Sequence, residues 1–391
     1  MIKIFLNELK RVFTDSGVII FFLVVPLLYP LLYSWLYNNE VVRQVPVMVV
    51  DMSRSSLSRE MCRRIDASPN VHVVGQAGSV EEAKRHIMAQ EIKGIIYVPE
   101  SFARDINTHI QTTVGLYVDM SSMLYYKALL TTLTNVTLDM GKQISVSKMG
   151  CYTSRDEELS SSPLQYEDVP MFNPSGGYGS FLIPAVLMLI IQQTLLLGIG
   201  LSAGTVRETN PTRALVSPDE VMYNAKQIIC GKTLCYFLIF MVTGAYVTMA
   251  VPRLFHFIQL ATFIQILAIL VPYVLACTFF GLTASCIVRY RENVMLLLIF
   301  TSVPLLFISG ISWPGCAIGS PWKALSYFFP STFGINAFVK VNSMGASLAD
   351  VLVELRSLWI QTGVYFLFAL LVYRVEHIRQ VFKDYENRAN S

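Results

Sequence analysis

The chain has 391 residues, of which 53% are hydrophobic and only 15% charged, with a formal net charge of +3. Soluble domains carry about a quarter charged residues, so this composition excludes a large soluble enzyme. The small positive balance gives no sign of a nucleic-acid partner. The apolar excess is concentrated in runs, as in a membrane protein.

A membrane-crossing helix needs about 17–25 mostly apolar residues. In chain order, six runs pass that test: 18–37, 181–203, 234–251, 258–288, 294–311 and 357–373. None contains Asp, Glu, Lys or Arg. Ahead of the first, residues 1–17 hold an amphipathic stretch with Ile4, Phe5, Leu9, Val12 and Phe13 on one helical face. The bulky "SWLYNNEVVRQVP" after the first run is no signal-peptidase site, so that run reads as an uncleaved signal-anchor.

Residues 38–180 read as a mixed α/β unit. "VPVMVVD" (45–51), "VHVVG" (71–75), "GIIYVP" (94–99) and "TVGLYVD" (113–119) are β-branched runs of strand length. Between the first two, Leu57, Met61 and Ile65 share a helical face. Between the next two, Ser79 and Glu82 open a helix with a capping-box pattern. Strands alternating with helices favour a partly parallel sheet. Residues 123–144 read as one long helix, 153–165 as a loop and 166–172 as a further strand. His72, His86 and His109 are not at metal-ligand spacing, and Asp51 and Asp119 sit where strand ends turn. Neither a metal site nor a catalytic set is expected. Cys62 and Cys151 fall on the same side of the membrane and are the one candidate disulfide.

The apolar runs must be helices, since backbone polar groups in lipid have no other partner. Gln192 and Gln193, near the middle of the second run, and Gln265 in the fourth are polar residues within them. Each is either an interhelical hydrogen bond or part of a substrate path. Gly200 and Gly204 make a small-residue packing pattern. Residues 204–233 interrupt the apolar pattern with a polar segment. Residues 312–356 are too polar to span yet rich in aromatics, and read as two short helices dipping into a leaflet and separated near Pro330.

Charge sets the orientation. With the N-terminus inside, segments 1–17, 204–233, 289–293 and 374–391 hold thirteen Lys/Arg, and the short loops opposite hold four. Both termini and the polar segment are therefore expected in the cytoplasm, with 38–180 outside. The sequence has no GxxxxGK[ST] pattern, so an energy source, if one is needed, must come from a partner.

Three stretches carry a family resemblance: "FNPSGGYGSFLIPAVLMLIIQQTLLLG" (172–198), "GTVRETNPTRALVSPDEVMYNAKQIICGK" (204–232), and "GLTASCIVRYRENVMLLLIFTSVPLLFISGISWP" (281–314) with "LSYFFPSTFGINAF" (325–338). They resemble the ABC-2 type permeases over nearly the whole chain. The family's Glu-rich run before Gly-Thr is missing, and Arg207 and Glu208 follow Gly204-Thr205-Val206 instead.

The resemblance implies an α-helical polytopic membrane protein with six transmembrane helices, residues 1–17 along the inner surface, and an inserted extracytoplasmic α/β domain. It implies a bacterial inner-membrane exporter subunit that binds no cofactor itself and uses ATP hydrolysed by a separate ABC ATPase. A second permease copy or paralogue completes the transmembrane part, in contact with membrane lipid. The large external domain suggests hand-off to a periplasmic adaptor and an outer-membrane channel.

The expected ATPase contact is Arg207, Glu208, Arg213, Ser217, Pro218 and Lys232, with Arg289, Arg291 and Glu292 as a second one. Trp313, Pro314, Pro330 and Thr332 mark the re-entrant segment. The rival reading is a membrane sensor or mechanotransmitting protein that moves no substrate. A membrane enzyme is disfavoured because no acid–base pair is evident. Drug, lipid, polysaccharide and peptide all remain open as substrate.

Overall fold

The computed structural model describes residues 1–108, 110–149, 171–174, 176–288 and 290–389. His109, Cys151, Arg289 and the loop expected at 153–165 lie outside the described residues, as does most of the strand expected at 166–172. The chain divides into two units, Val41–Val169 and the remainder.

The remainder is helical. Helix α1 (Ile2–Thr14) stops at Asp15, whose extended backbone turns the chain while its carboxylate accepts from the amides of Gly17 and Val18 at 3.0 and 3.4 Å. That caps α2 (Ser16–Leu36), which contains a π-helical turn over Ile20–Val24. After the other unit come α7 (Tyr178–Thr209), α8 (Ala225–Leu254, with a second π turn at Tyr246–Ala250), α9 (Phe263–Ala284) and α10 (Arg291–Ile308). The chain closes with α11 (Ser320–Ser326), α12 (Pro330–Met344) and α13 (Leu352–Ala389). Among the described residues, five helices are long and apolar enough to cross a membrane: α2, α7, α8, α9 and residues Leu352–Phe382 of α13. Helix α10 covers most of the fifth expected run but starts with Arg291 and Glu292, and it is not one of the five.

Helix α7 is apolar all round, as a central helix must be, and packs against α9, α10 and α12. Glycines set how closely its neighbours approach. A methyl group at Gly198 would run into the ring of Phe22 in α2, and at Gly200 into Val294 of α10. Gly204 lies against the backbone of Arg291. The small-residue pair 200/204 is therefore the seat of α10. Phe22 in turn meets Tyr236 and Phe240 of α8 edge-on, with ring centroids 5.4 and 5.1 Å apart.

The segment expected to hold two short helices holds α11 and α12. Pro330 is in the first turn of α12, where its missing N–H costs nothing. Gly345 ends α12 at φ 66°, a left-handed cap that suits glycine.

Among its described residues, the other unit holds a four-stranded sheet in the order β2-β1-β3-β4, built from β1 (Val45–Asp51), β2 (Val71–Gln76), β3 (Gly94–Val98) and β4 (Gly115–Val118). β1 runs parallel to β2 and β3, and β4 is antiparallel to β3. The connections are α3 (Ser56–Asp66), α4 (Val80–Met88) and α5 (Phe102–Asn107), and α6 (Met123–Met149) follows β4. Alternate residues of the strands face opposite ways. Val45, Val47 and Val49 meet Met61, Ile65, Leu129 and Leu133 on one face, while Val50 and Ile95 meet Ala83 of α4 on the other. Asp51 accepts from the amides of Ser53 and Arg54 and from the Ser58 hydroxyl, so it builds a turn. Asp119 does likewise with Ser121. Burial, and secondarily Asp51, push the Cys62 thiol up to about 11.

The contact at Gly198 gives a direct test. Gly198→Leu overpacks the α2–α7 crossing and is expected to cost about 1–3 kcal/mol, read as a lowered Tm in detergent. Gly363→Ala, inside α13 at a site with open space around it, is expected not to lower the Tm and, by helix propensity, to raise it slightly.

Candidate functional site

The site grows from one anomaly in α1. Residues 4, 8 and 12 lie on a single stripe, and all three are buried, but the middle one is Glu8. Phe13, expected on the apolar face, is 55% exposed instead, because the buried stripe passes through Glu8 rather than through the aromatic residues. The approach is close because Gly231 of α8 lets Ile4 sit against the helix backbone, and the next residue, Lys232, then reaches Glu8.

An isolated buried carboxylate is prohibitively costly, so the surroundings must answer it. Glu8 accepts from Ser202 of α7 at 2.9 Å and from the Tyr236 hydroxyl of α8. Its second oxygen lies 3.3 Å from Arg11 and 3.7 Å from Lys232. Both cations also hold Glu220, Arg11 at 2.9 Å and Lys232 at 3.4 Å. Lys232 lies over the ring of Tyr373 from α13, 5.7 Å from its centre. Two acids and two bases thus alternate, with Glu8, Glu220 and Lys232 buried and Arg11 partly exposed. Burial alone would raise the pKa of Glu8, but Lys232, Arg11 and the two hydroxyl donors outweigh it and hold the carboxyl below the usual range.

Glu220 belongs to the polar segment, in a short 3₁₀ turn (Pro218–Glu220) closed by a capping box with Ser217. That turn is therefore nailed to the helices from below. The rest of the segment is bolted to α13. Asn210 donates to the carbonyls of Ala214 and Val216 and to Gln380, at 3.1, 2.9 and 3.2 Å. The Leu215 amide donates to Glu376 at 3.1 Å, and Nε2 of His377 donates to the Val221 carbonyl at 2.8 Å. Ala214, Leu215 and Val216 are wholly buried.

The residues nominated from sequence fall into two groups. Arg207 and Lys232 point inward. Arg207 donates to the carbonyls of Cys286 and Val288 at 3.2 and 2.7 Å, beyond the end of α9, and lies 3.6 Å from Glu376. Arg291 is tied to Asp15, which also accepts from Thr205 at 2.7 Å. The Arg291 amide donates to Glu208 at 3.0 Å, so Glu208 caps α10. Arg213, Pro218 and Glu292 are exposed, and Ser217 is partly so. Sequence reasoning missed Glu8 and Glu220, the buried acids, and also Met222, a large apolar side chain 92% exposed at the tip of the segment beside exposed Asp219. A signal for Glu8 did exist, since it interrupts the spacing from Ile4 to Val12. The sequence Gly231-Lys232-Thr233 is not a phosphate loop, because its lysine is consumed by two carboxylates.

Of the three glutamines, Gln192 is spent on packing. Its oxygen accepts from the Ser331 amide at 2.7 Å, and its nitrogen donates to the Ser331 hydroxyl at 3.2 Å, joining α7 to the start of α12. Gln265 closes a capping box with Thr262 at the start of α9, away from mid-span. Among the described residues, neither amide atom of Gln193 has a hydrogen-bond partner, although the residue is only 7% exposed. Each unmade buried bond costs on the order of 1–3 kcal/mol. Thr332 donates to the Ser326 carbonyl at 2.6 Å and fastens α12 to α11, whereas Trp313 is exposed and Pro314 lies in the turns between α10 and α11.

A model of the ABC-2 family transporter proteins matches residues 16–371. Comparison with curated proteins gives no match.

The alternating cluster predicts non-additive mutants. Glu8→Leu and Lys232→Leu are each expected to cost about 3–5 kcal/mol by stranding a charge, and the double variant clearly less than their sum. The sign with pH also follows. Because the folded pKa of Glu8 is lowered, its stabilisation is complete above the ordinary value of 4.5 and is lost as pH falls below it. Glu8→Gln should therefore lower the Tm at neutral pH and flatten its fall on the acid side, in melts from about pH 3.5 to 7.

Proposed function

Because the chain belongs to the family of ABC-2 transporter proteins, a membrane transport component, we propose that it is the transmembrane permease subunit of an ABC exporter. Energy would come from ATP hydrolysed by a separate ABC ATPase, and two permeases, identical or paired, would complete the assembly. In this reading α10 is the sixth span, both termini and residues 210–224 are cytoplasmic, and the α/β unit lies outside the inner membrane. A periplasmic adaptor and outer-membrane channel would take the substrate onward.

The observation that carries the reading is the two-sided build of residues 210–224. Its underside is fixed to α1, α8 and α13 by Glu220, Asn210 and the Leu215 amide. Its other side presents Arg213, Pro218, Asp219 and Met222 to solvent. A rigid knob with a protruding methionine suits docking on an ATPase. Motion of the ATPase would reach the helices through Lys232 and Arg207, and through Glu208 and Arg291 to α10. Glu292 and Arg289 would flank that second contact.

Removing residues 208–224 outright would strip buried Leu215, Val216 and Glu220 from the helical unit, so a point change is the cleaner test. Met222→Asp is expected to leave the Tm of the purified permease unchanged. It should weaken co-purification of the co-expressed ATP-binding subunit by roughly tenfold or more. Undiminished co-purification would sink the docking assignment.

A further inference from the structure

Three arginines converge where the helices leave their apolar runs. Arg207 of α7, Arg213 of the polar segment and Arg379 of α13 line one cavity of about 370 Å³, together with Glu208 and Tyr290. Arg207 is only 7% exposed, and its Nε has no hydrogen-bond partner among the described residues. The carboxylates beside these cations are already engaged. Glu376 lies 3.6 Å from both Arg207 and Arg379 and accepts from the Leu215 amide, and Glu208 accepts from the Arg291 amide. Arg213 is exposed and pairs with no carboxylate among the described residues. Three cations against two acids leave one positive charge in excess, which suits a monoanion.

A second space begins at the same wall. A groove of about 450 Å³ runs between α7, α9, α10 and α13, and none of its described lining residues is charged. Cys286 and Val288 line one end of it, and Arg207 donates to their carbonyls at 3.2 and 2.7 Å, so the arginine pocket sits against that end. Ile287, Phe328 and Phe368 line the groove and are exposed, so it opens sideways. Along α10 its lining extends from Val294 to Leu305. That is about 16 Å of helix, the depth of one leaflet of a hydrocarbon core about 30 Å thick.

The arginines also lie at the depth of the lipid headgroups. Arg207 is four residues past the apolar run of α7, and Arg379 six past that of α13. Those offsets are about 6 and 9 Å along the helix axes, within or just beyond the polar layer of a bilayer. The exposed ring of Tyr290 suits the same layer.

We propose that the two spaces form one site for an anionic phospholipid. Its phosphate is held by Arg207, Arg213 and Arg379, and one acyl chain fills the groove between α10 and α13. Guanidinium forks match phosphate oxygens in pairs. A zwitterionic lipid brings its own cation to a pocket already positive and binds less well. The inference rests on α10 being a span, as in the permease reading, and adds a lipid that stays bound and joins the polar segment to α7 and α13.

The test uses full-length permease, stripped of lipid in detergent and titrated with phosphatidylglycerol or phosphatidylcholine of the same chains, with bound lipid read by native mass spectrometry. Phosphatidylglycerol is expected to bind roughly tenfold or more tightly than phosphatidylcholine. Arg213→Gln with Arg379→Gln should remove that preference, and Arg213→Lys with Arg379→Lys should restore part of it. Ala284→Phe, at a position lining the groove, should weaken both lipids. If that variant does not fold, the arginine pairs carry the test alone. Glycerol 3-phosphate, a phosphate without chains, should not displace the lipid at equal concentration.

Equal binding of the two lipids, or a preference untouched by Arg213→Gln with Arg379→Gln, overturns the proposal. So does displacement by glycerol 3-phosphate, since the site would then take a soluble phosphate compound. So does a dimaleimide cross-link between two permease copies that carry Ile287→Cys, absent from the wild type, since a second chain would then cover the groove. Co-purification of the ATP-binding subunit with the wild type separates the two failures. If it persists while phosphatidylglycerol shows no preference, the permease reading stands and only the lipid site falls.

Discussion

Everything in the helical unit has to accommodate one buried carboxylate. Glu8 has no exposure, and its charge is tolerable only with Arg11, Lys232, Ser202 and Tyr236 around it. Those partners come from α1, α7 and α8, and the two cations bring in Glu220 from the polar segment. A hydrophobic residue in place of the whole group would often be no less stable. What the charges add is selectivity of arrangement, because no slipped packing of α1 on α8 satisfies all of them at once. Short of unfolding, the segment around Glu220 therefore moves with the helices or not at all.

Polar interactions and packing are divided by level along the helices. Near one end, ion pairs and amide bonds join α1, the polar segment, the start of α10 and the far part of α13. Through the apolar stretches, glycine contacts and aromatic edges take over, as at Gly198 with Phe22 and Gly334 with Tyr273.

How much of this was legible in the sequence depends on the kind of signal. The strands at Val45–Asp51 and Gly94–Val98 stand out as β-branched runs, and the helices between them as capped amphipathic stretches, because local propensity and burial agree there. The apolar runs locate α2, α7, α8, α9 and α13, but not how far they extend. Helix α7 continues to Thr209 and α8 begins at Ala225, since polar residues at helix ends are satisfied by tertiary partners that no window of sequence reveals. The same reason hides the cluster. Glu220 and Lys232 look like surface charges until α1 is folded onto them. The exposed Met222 went unnoticed because a single methionine in a polar loop has no periodicity to betray which way it faces. Gln192 and Gln193 are chemically alike and adjacent, and only the position of Ser331 separates the one that packs from the one left unsatisfied.

The π turns in α2 and α8 have a consequence for how these helices behave as mechanical parts. Each inserts one extra residue into a turn, which offsets the phase of everything beyond it by about 100°. Helical-wheel reasoning cannot be carried across residues 20–24 or 246–250. Each of these helices changes phase at its π turn, and Tyr246, inside one turn, donates to the Leu27 carbonyl just past the other at 3.2 Å. Passing the extra residue one turn along would rotate one part of the helix against the other without cutting it. The Tyr246 hydrogen bond ties the two π turns to each other, so a shift of one would have to break that bond or carry the other along.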